Sequence, residues 1–482
     1  MLTWTPIGHS ERRMPDDCKR LDKLMRAQYR FAAGSICLLL LLSIGSFCAN
    51  TGLAQLAPAV VAAAQDLPSR AALAVPNEVL IIFRHDAPQN VEDFARDYRL
   101  VHVQSYSDSL LGRTVHHFRI SNADVPVAGL PNRSRMRSTS PRSEQAPKKD
   151  DGSSQENADA ARIDEYISSL SSDPRIESVQ PNYVYERKDD HSRQEHSRIG
   201  SQDQYVLTKL RIKEAHRLAT GARIKIAVID SEIDATHPEL QGAVETELNV
   251  VGDSGGPDKH GTAIAGAIVS HGDLLGVAPA ARILAVRAFS DAGGTTLTIT
   301  RGINWSFQSG ARIINMSFAG PKDPLLHREV TAAYNRGLIL VAAAGNAGTD
   351  SPPMYPAAYP EVIAVTATDS DDRVLQQANT GRYVAIAAPG VEIVAPHPGG
   401  TYQYSTGTSI AAAHVSGVAA LLLERNPRLR PDEIRSILVA TADKVKTGGF
   451  VPGRVNALKA LIVITEMPGG SSSTHQISGI RR

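Results

Sequence analysis

What this chain lacks narrows it first. Its only cysteines are Cys18, Cys37 and Cys48, and everything downstream is cysteine-free. No disulfide framework and no cysteine-based metal site can hold that remainder together. Aromatic residues make up 5% and the formal net charge is +1. Few bulky rings amid many Ala and Gly suit a close-packed α/β core. So balanced a charge gives no reason to expect nucleic acid as a partner. Internal repeats are absent. The hydrophobic (42%) and charged (21%) shares are those of an ordinary soluble protein, and 482 residues allow two or three domains.

One long apolar run is present, Phe31 to Ala49, with Leu38–Leu42 at its centre. Lys23, Arg26 and Arg30 precede it and Gly52-Leu-Ala54 follows. That order is a signal peptide pattern, with cleavage after Ala49 or Ala54. The alternative is a membrane anchor through residues 31–49, because this length also spans a bilayer. The polar stretch before Lys23 is long for a signal peptide, and Met25 is an alternative start. Residues 1–54 therefore read as a leader. The rest is exported, secreted or periplasmic, or else tethered to a membrane.

Residues 76–187 carry an alternating pattern. Strands are expected at Glu78–Arg84, Val101–Ser107, Thr114–Ile120 and Ile176–Tyr185. Helices are expected at 90–100, with Asn90 as the cap, and at 160–170. The order βαββαβ predicts a ferredoxin-like α+β unit. Residues 121–156 interrupt it with Ser, Pro, Arg, Lys and Asp, a composition that predicts disorder. Residues 188–203 form a polar linker. Its His191 and His196 fit no standard metal spacing. Residues 466–482 read as a flexible tail.

Three blocks carry chemistry. Ile226-Ala-Val-Ile-Asp230 is a β-branched apolar run, a buried parallel strand ending in a carboxylate. Ligand sites in open α/β sheets gather at that edge. His260-Gly-Thr-Ala-Ile-Ala-Gly266 opens a buried helix with an imidazole. Gly407-Thr-Ser409 precedes the apolar run from Ile410 to Leu423, so Ser409 sits at a helix amino terminus that favours negative charge. A serine hydroxyl needs a base, histidine can be that base, and a carboxylate can orient it.

In this order and with these flanks, residues 204–465 resemble the subtilisin-like serine peptidases, the subtilases. Chain order Asp, His, Ser is the subtilisin arrangement. An α/β-hydrolase would want Gly-x-Ser-x-Gly and a different order, and here Ala411 stands at the fifth position. The resemblance implies a three-layer α/β fold with a mostly parallel sheet and buried helices. It implies a serine endopeptidase with Asp230, His260 and Ser409 as the triad. Val341-Ala-Ala-Ala344-Gly345-Asn346 resembles the oxyanion strand and loop, with Asn346 as donor. Ser317-Phe318-Ala319-Gly320 resembles the substrate-binding strand, which takes an extended peptide by strand addition. The upstream unit resembles the family's propeptide, an intramolecular inhibitor and folding aid. No cofactor is implied for the chemistry. Calcium would serve as a structural ion, and no motif for it is evident.

Departures from the pattern bear on substrate preference. Met354, before Tyr355-Pro356, stands where the family often has glycine at the floor of the specificity pocket. Ala319 replaces a common glycine, and Ala263 and Ala413 replace a usual His and Pro. Glu232 adds a carboxylate expected to perturb Asp230. The rival from another class is a catalytically silent, subtilase-like binding domain.

Overall fold

The computed structural model describes residues 73–86, 90–121, 163–187, 193–195, 203–446 and 452–466. The leader 1–54, all but Ser121 of the insertion 121–156, His191, His196 and nearly all of the tail lie outside them. No helix among the described residues is long and apolar enough to cross a membrane.

The N-terminal unit has strands β1 (Ala74–Phe83), β2 (Leu100–Asp108), β3 (Arg113–Ile120) and β4 (Ile176–Tyr185). Its helices are α1 (Val91–Asp97) and α2 (163–170). The sheet runs β2-β3-β1-β4, with each neighbouring pair antiparallel. Four antiparallel strands in that order with two helices are the ferredoxin-like α+β arrangement. Val79, Ile81, Phe94, Phe118, Tyr166 and Leu170 form the core between sheet and helices. Asn90 caps α1, its side chain accepting from the Asp93 N–H at 3.2 Å. The helix stops at Asp97 because Arg99 turns the chain through φ 52° and Leu100 opens the next strand. A short strand, β5 (Arg193–Glu195), lies in what the sequence reads as linker.

The larger unit is built on β6 (Lys225–Asp230), β7 (Val244–Asn249), β8 (Arg282–Arg287), β11 (Ile313–Met316), β12 (Ile339–Ala343), β13 (Ile363–Thr368) and β14 (Val384–Pro389). Two short strands, β9 (Phe289–Ser290) and β10 (Gly293–Thr295), follow β8, and the hairpin β15 (Ile393–His397) and β16 (Thr401–Ser405) follows β14. The seven-stranded sheet has the order β14-β13-β12-β11-β6-β8-β7 and is parallel throughout. Helices α3 (Lys259–Val269) and α6 (Thr408–Arg425) cover one face, and α4 (Thr296–Gln308) and α5 (Pro324–Asn335) the other. Alternation along β6 explains why both faces are apolar: Ile226 and Val228 join one core, Ala227 and Ile229 the other. Helices α7 (Pro431–Ala440) and α8 (Ala457–Glu466) close the α6 side. This is the three-layer α/β fold the sequence implied.

Connectivity fixes the working edge. From β6 the chain passes to β7 and β8 on one side, then crosses to β11 on the other. The strand order reverses beside β6, and a crevice opens at the carboxyl ends of β6 and β11.

Candidate active site

Asp230 ends β6 and is fully buried. Ser231 donates its N–H to Asp230 Oδ1 at 2.7 Å. His260 lies in the first turn of α3, and its Nδ1 is 2.7 Å from the same oxygen. Gly261 lets that helix approach: a Cβ there would come within 2.6 Å of the Ser231 carbonyl. Asp258 caps α3, accepting from the His260 N–H at 2.9 Å. His260 is thus held at its backbone by the helix cap and at its ring by a buried carboxylate.

Ser409 is the second residue of α6, with Gly407 at the cap, and is 3% exposed. Its Oγ is 3.5 Å from the Ser317 carbonyl, and Ser317 Oγ donates back to the Ser409 carbonyl at 3.1 Å. The strand after β11 and the start of α6 are therefore tied together. A hydroxyl here faces the positive end of a long buried helix.

Asn346 follows β12. Its Oδ1 accepts from the Thr408 N–H and the Thr408 hydroxyl, both at 3.0 Å. Those donors fix the orientation of the amide. Thr408 Oγ1 also accepts from the Gly345 N–H at 3.1 Å. Asn379 holds the same loop from behind, donating to the Ala344 carbonyl and accepting from the Ala347 N–H. Gly345 has φ 110°, and a Cβ there would strike Asn379.

Ser317, Phe318, Ala319 and Gly320 form one wall of the cleft. Gly320 pairs on its far side with Tyr355, N–H to carbonyl both ways, which sets half-exposed Met354 beside that wall. On its near side Ala319 pairs antiparallel with Glu186, at 2.9 and 3.0 Å. The opposite wall is β10, where Gly294 pairs with Tyr185 and Thr295 with Val184. The chain's own residues 184–186 thus lie between the two walls as an added strand. Tyr185 is fully buried against Phe318, and a Cβ on Gly320 would run into its ring. Its hydroxyl is 3.1 Å from Asp323 Oδ2. Arg187 follows, with its guanidinium 2.8 Å from Asp258 and 3.9 Å from Asp230. Further along the chain β5 pairs antiparallel with β16, the strand that leads into α6.

The N-terminal unit also satisfies two helix ends of the larger one. Asn182 Oδ1 accepts from the Leu297 N–H in the first turn of α4, at 3.1 Å. Gln180 Oε1 accepts from the Leu325 N–H at the start of α5, at 2.8 Å, and donates to Asp323, the α5 cap. Leu80, Ile82 and Val115 pack on Leu297 and Leu325.

Glu232 departs from expectation. Its carboxylate is 3.5 Å from the Arg287 guanidinium, which also pairs with Asp253, so Arg287 partly balances its charge. Sequence reasoning passed over Asp258, Thr408, Asn379 and Arg187. Asp258 alone had a visible signal, an Asp two residues before His260 at a helix start.

Comparisons with known proteins bear on the family and the fold. Residues 221–457 match the profile of the subtilase family, peptidase S8. Thermitase of Thermoactinomyces vulgaris is 38% identical over 272 residues, 54% of this chain and 96% of thermitase. Subtilisin E of Bacillus subtilis is 36% identical over 301 residues, 59% of this chain and 75% of that protein. The crystal structure of fervidolysin from Fervidobacterium pennivorans, a keratinolytic enzyme related to subtilisin, superposes with a TM-score of 0.61 at 24% identity. That match covers 81% of this chain and 61% of fervidolysin, and it speaks for the fold.

Proposed function

Because the chain belongs to the subtilase family of serine endopeptidases, we propose that it is an exported member made as a self-processing zymogen. Ser409 attacks the scissile carbonyl. His260 takes its proton and returns it to the leaving amine. Asp230 orients the imidazole and stabilises its cation. Asn346 and the Ser409 N–H receive the oxyanion. The family needs no cofactor for this chemistry, and its substrates are peptides or proteins.

The observation that carries the zymogen reading is the antiparallel pairing of Glu186 with Ala319. Residues 184–187 lie where a peptide substrate would add its strand, and β5 pairs with β16, the strand that leads into α6. The N-terminal unit is then the inhibitor, and the maturation cut falls between Arg187 and Arg193. Export rests on the apolar run before Ala49, with a tether through 31–49 as the alternative.

Fluorophosphonate labelling of purified protein tests the chemistry, since only an activated serine reacts. Ser409→Ala should lose labelling and peptide hydrolysis and stay uncut, while the fold survives. Normal maturation of that variant with no other protease present would rule out self-processing.

A further inference from the structure

We propose that Asp258 makes this enzyme select a cationic side chain, arginine above others, at the second residue before the cleaved bond. This rests on the reading that substrates lie in the cleft as residues 184–187 do.

The register sets the position. Glu186 pairs with Ala319 antiparallel. A substrate in the same register places the residue after its arginine opposite Ser317. The Ser317 carbonyl lies 3.5 Å from Ser409 Oγ, so that residue presents its carbonyl to the nucleophile. The arginine is then second before the cut.

The surroundings set the charge. Arg187 is 2.8 Å from Asp258 Oδ1, its side chain is 11% exposed, and its guanidinium lies over the Phe289 ring at 5.9 Å. Glu232, Asp253 and Asp291 line the same cavity of about 520 Å³. Arg287 is the one other cation among the residues lining it, and it is already paired with Asp253 and Glu232. Asp258 is fixed before substrate arrives, because the His260 N–H and the Ser231 hydroxyl (2.7 Å) both donate to it. A neutral side chain here would cover that carboxylate without compensating its charge. Arginine's flat cation answers both the carboxylate and the ring face, which lysine does less well.

The test uses mature enzyme and quenched peptides containing Tyr-Glu-X-Ala, with X as arginine, its neutral isostere citrulline, or norleucine. Mass spectrometry locates the cut. The expected kcat/KM for arginine exceeds that for citrulline by about 10- to 100-fold, the size of a hydrogen bond to a charged partner. Added salt should shrink the ratio. Asp258→Asn keeps a helix-capping side chain and removes the charge, and should bring the ratio to within about twofold of one. A ratio near one in the unaltered enzyme, or a ratio preserved in Asp258→Asn, overturns the proposal. Should that variant fail to fold, a salt-independent ratio in the unaltered enzyme does so instead. A protein that takes up no fluorophosphonate and cuts none of the peptides fails as a peptidase, and the selectivity falls with it.

Discussion

Asp108, at the end of β2 in the N-terminal unit, and Glu329, on α5 of the catalytic unit, bring two buried carboxyls together. Asp108 Oδ1 accepts from the N–H groups of Leu110 and Leu111, at 3.0 and 2.9 Å. Burial pushes Glu329 well above the usual carboxylate range, and the charge of Asp108 pushes it further. Burial raises Asp108 too, against those donors. Arg328 offers a weaker opposing charge to both, and Tyr106 lies nearby as a neutral phenol.

If the N-terminal unit is the inhibitor proposed above, its inhibition should depend on pH. In the separated units both carboxyls return to water and to their ordinary range of about 4. The joined state therefore holds a proton that the separated state has lost. This contribution to the joined state is complete below that ordinary range. It declines as pH rises and is gone above the raised value. Binding of the N-terminal unit to inactive Ser409→Ala mature enzyme, followed by calorimetry, should weaken up to about tenfold per pH unit in that window. Glu329→Gln should flatten the slope. Parallel profiles for the two proteins would show that the pair is not responsible.

Removing the Tyr185 ring should loosen the same contact. It is a fully buried aromatic side chain filling a slot between Phe318 and Gly320. Residues 76–187 supplied as a separate chain should inhibit the mature enzyme. Tyr185→Ala should weaken that inhibition by about 3–5 kcal/mol, the range for burying and then deleting a large ring. Failure of the unaltered fragment to inhibit at high micromolar concentration would reject the inhibitor assignment.

Asn346→Ala should lower turnover by roughly 10²–10³-fold with little change in KM, as loss of one oxyanion donor does. The Oδ1 contacts with Thr408 make the Asp variant a sharper probe. It keeps the acceptor and removes the donor, and should be as slow as Ala. Steady-state kinetics with one peptide decides both.

Met354 should make the primary pocket shallow. Its side chain takes volume that glycine would leave beside the Ser317–Gly320 wall. The pocket should then be apolar and prefer a small or medium aliphatic residue before the cleaved bond, and Met354→Gly should shift preference towards Phe and Tyr. Each methylene that no longer fits is worth about 1–3 kcal/mol. A peptide-library profile of the unaltered enzyme that strongly favours Phe or Tyr would contradict this.

Contiguous signals were legible in the sequence. Asp230, His260 and Ser409 each close or open a strongly apolar element, so their positions at a strand end and two helix starts follow from pattern alone. The ferredoxin-like order was readable for the same reason. Its edges moved: β1 begins at Ala74, before the expected Glu78, because Ala74 pairs with Tyr183 across an irregularity in register. Contacts between distant segments were not legible. Arg187 and Asp258 are 71 residues apart, and Asn379 reaches back to Ala344 from another loop. β5 was missed because Arg-Gln-Glu has no apolar alternation; it is a strand only through backbone pairing with β16.

That residues 184–186 pair with both walls of the cleft has a kinetic meaning. On the zymogen reading proposed above, each molecule carries its first substrate already in register, so maturation should be a first-order event whose half-time is indifferent to dilution. Cutting the chain should then turn a tethered inhibitor into a free one. From then on its hold depends on concentration, and the same dilution that left the cut untouched lets the enzyme go.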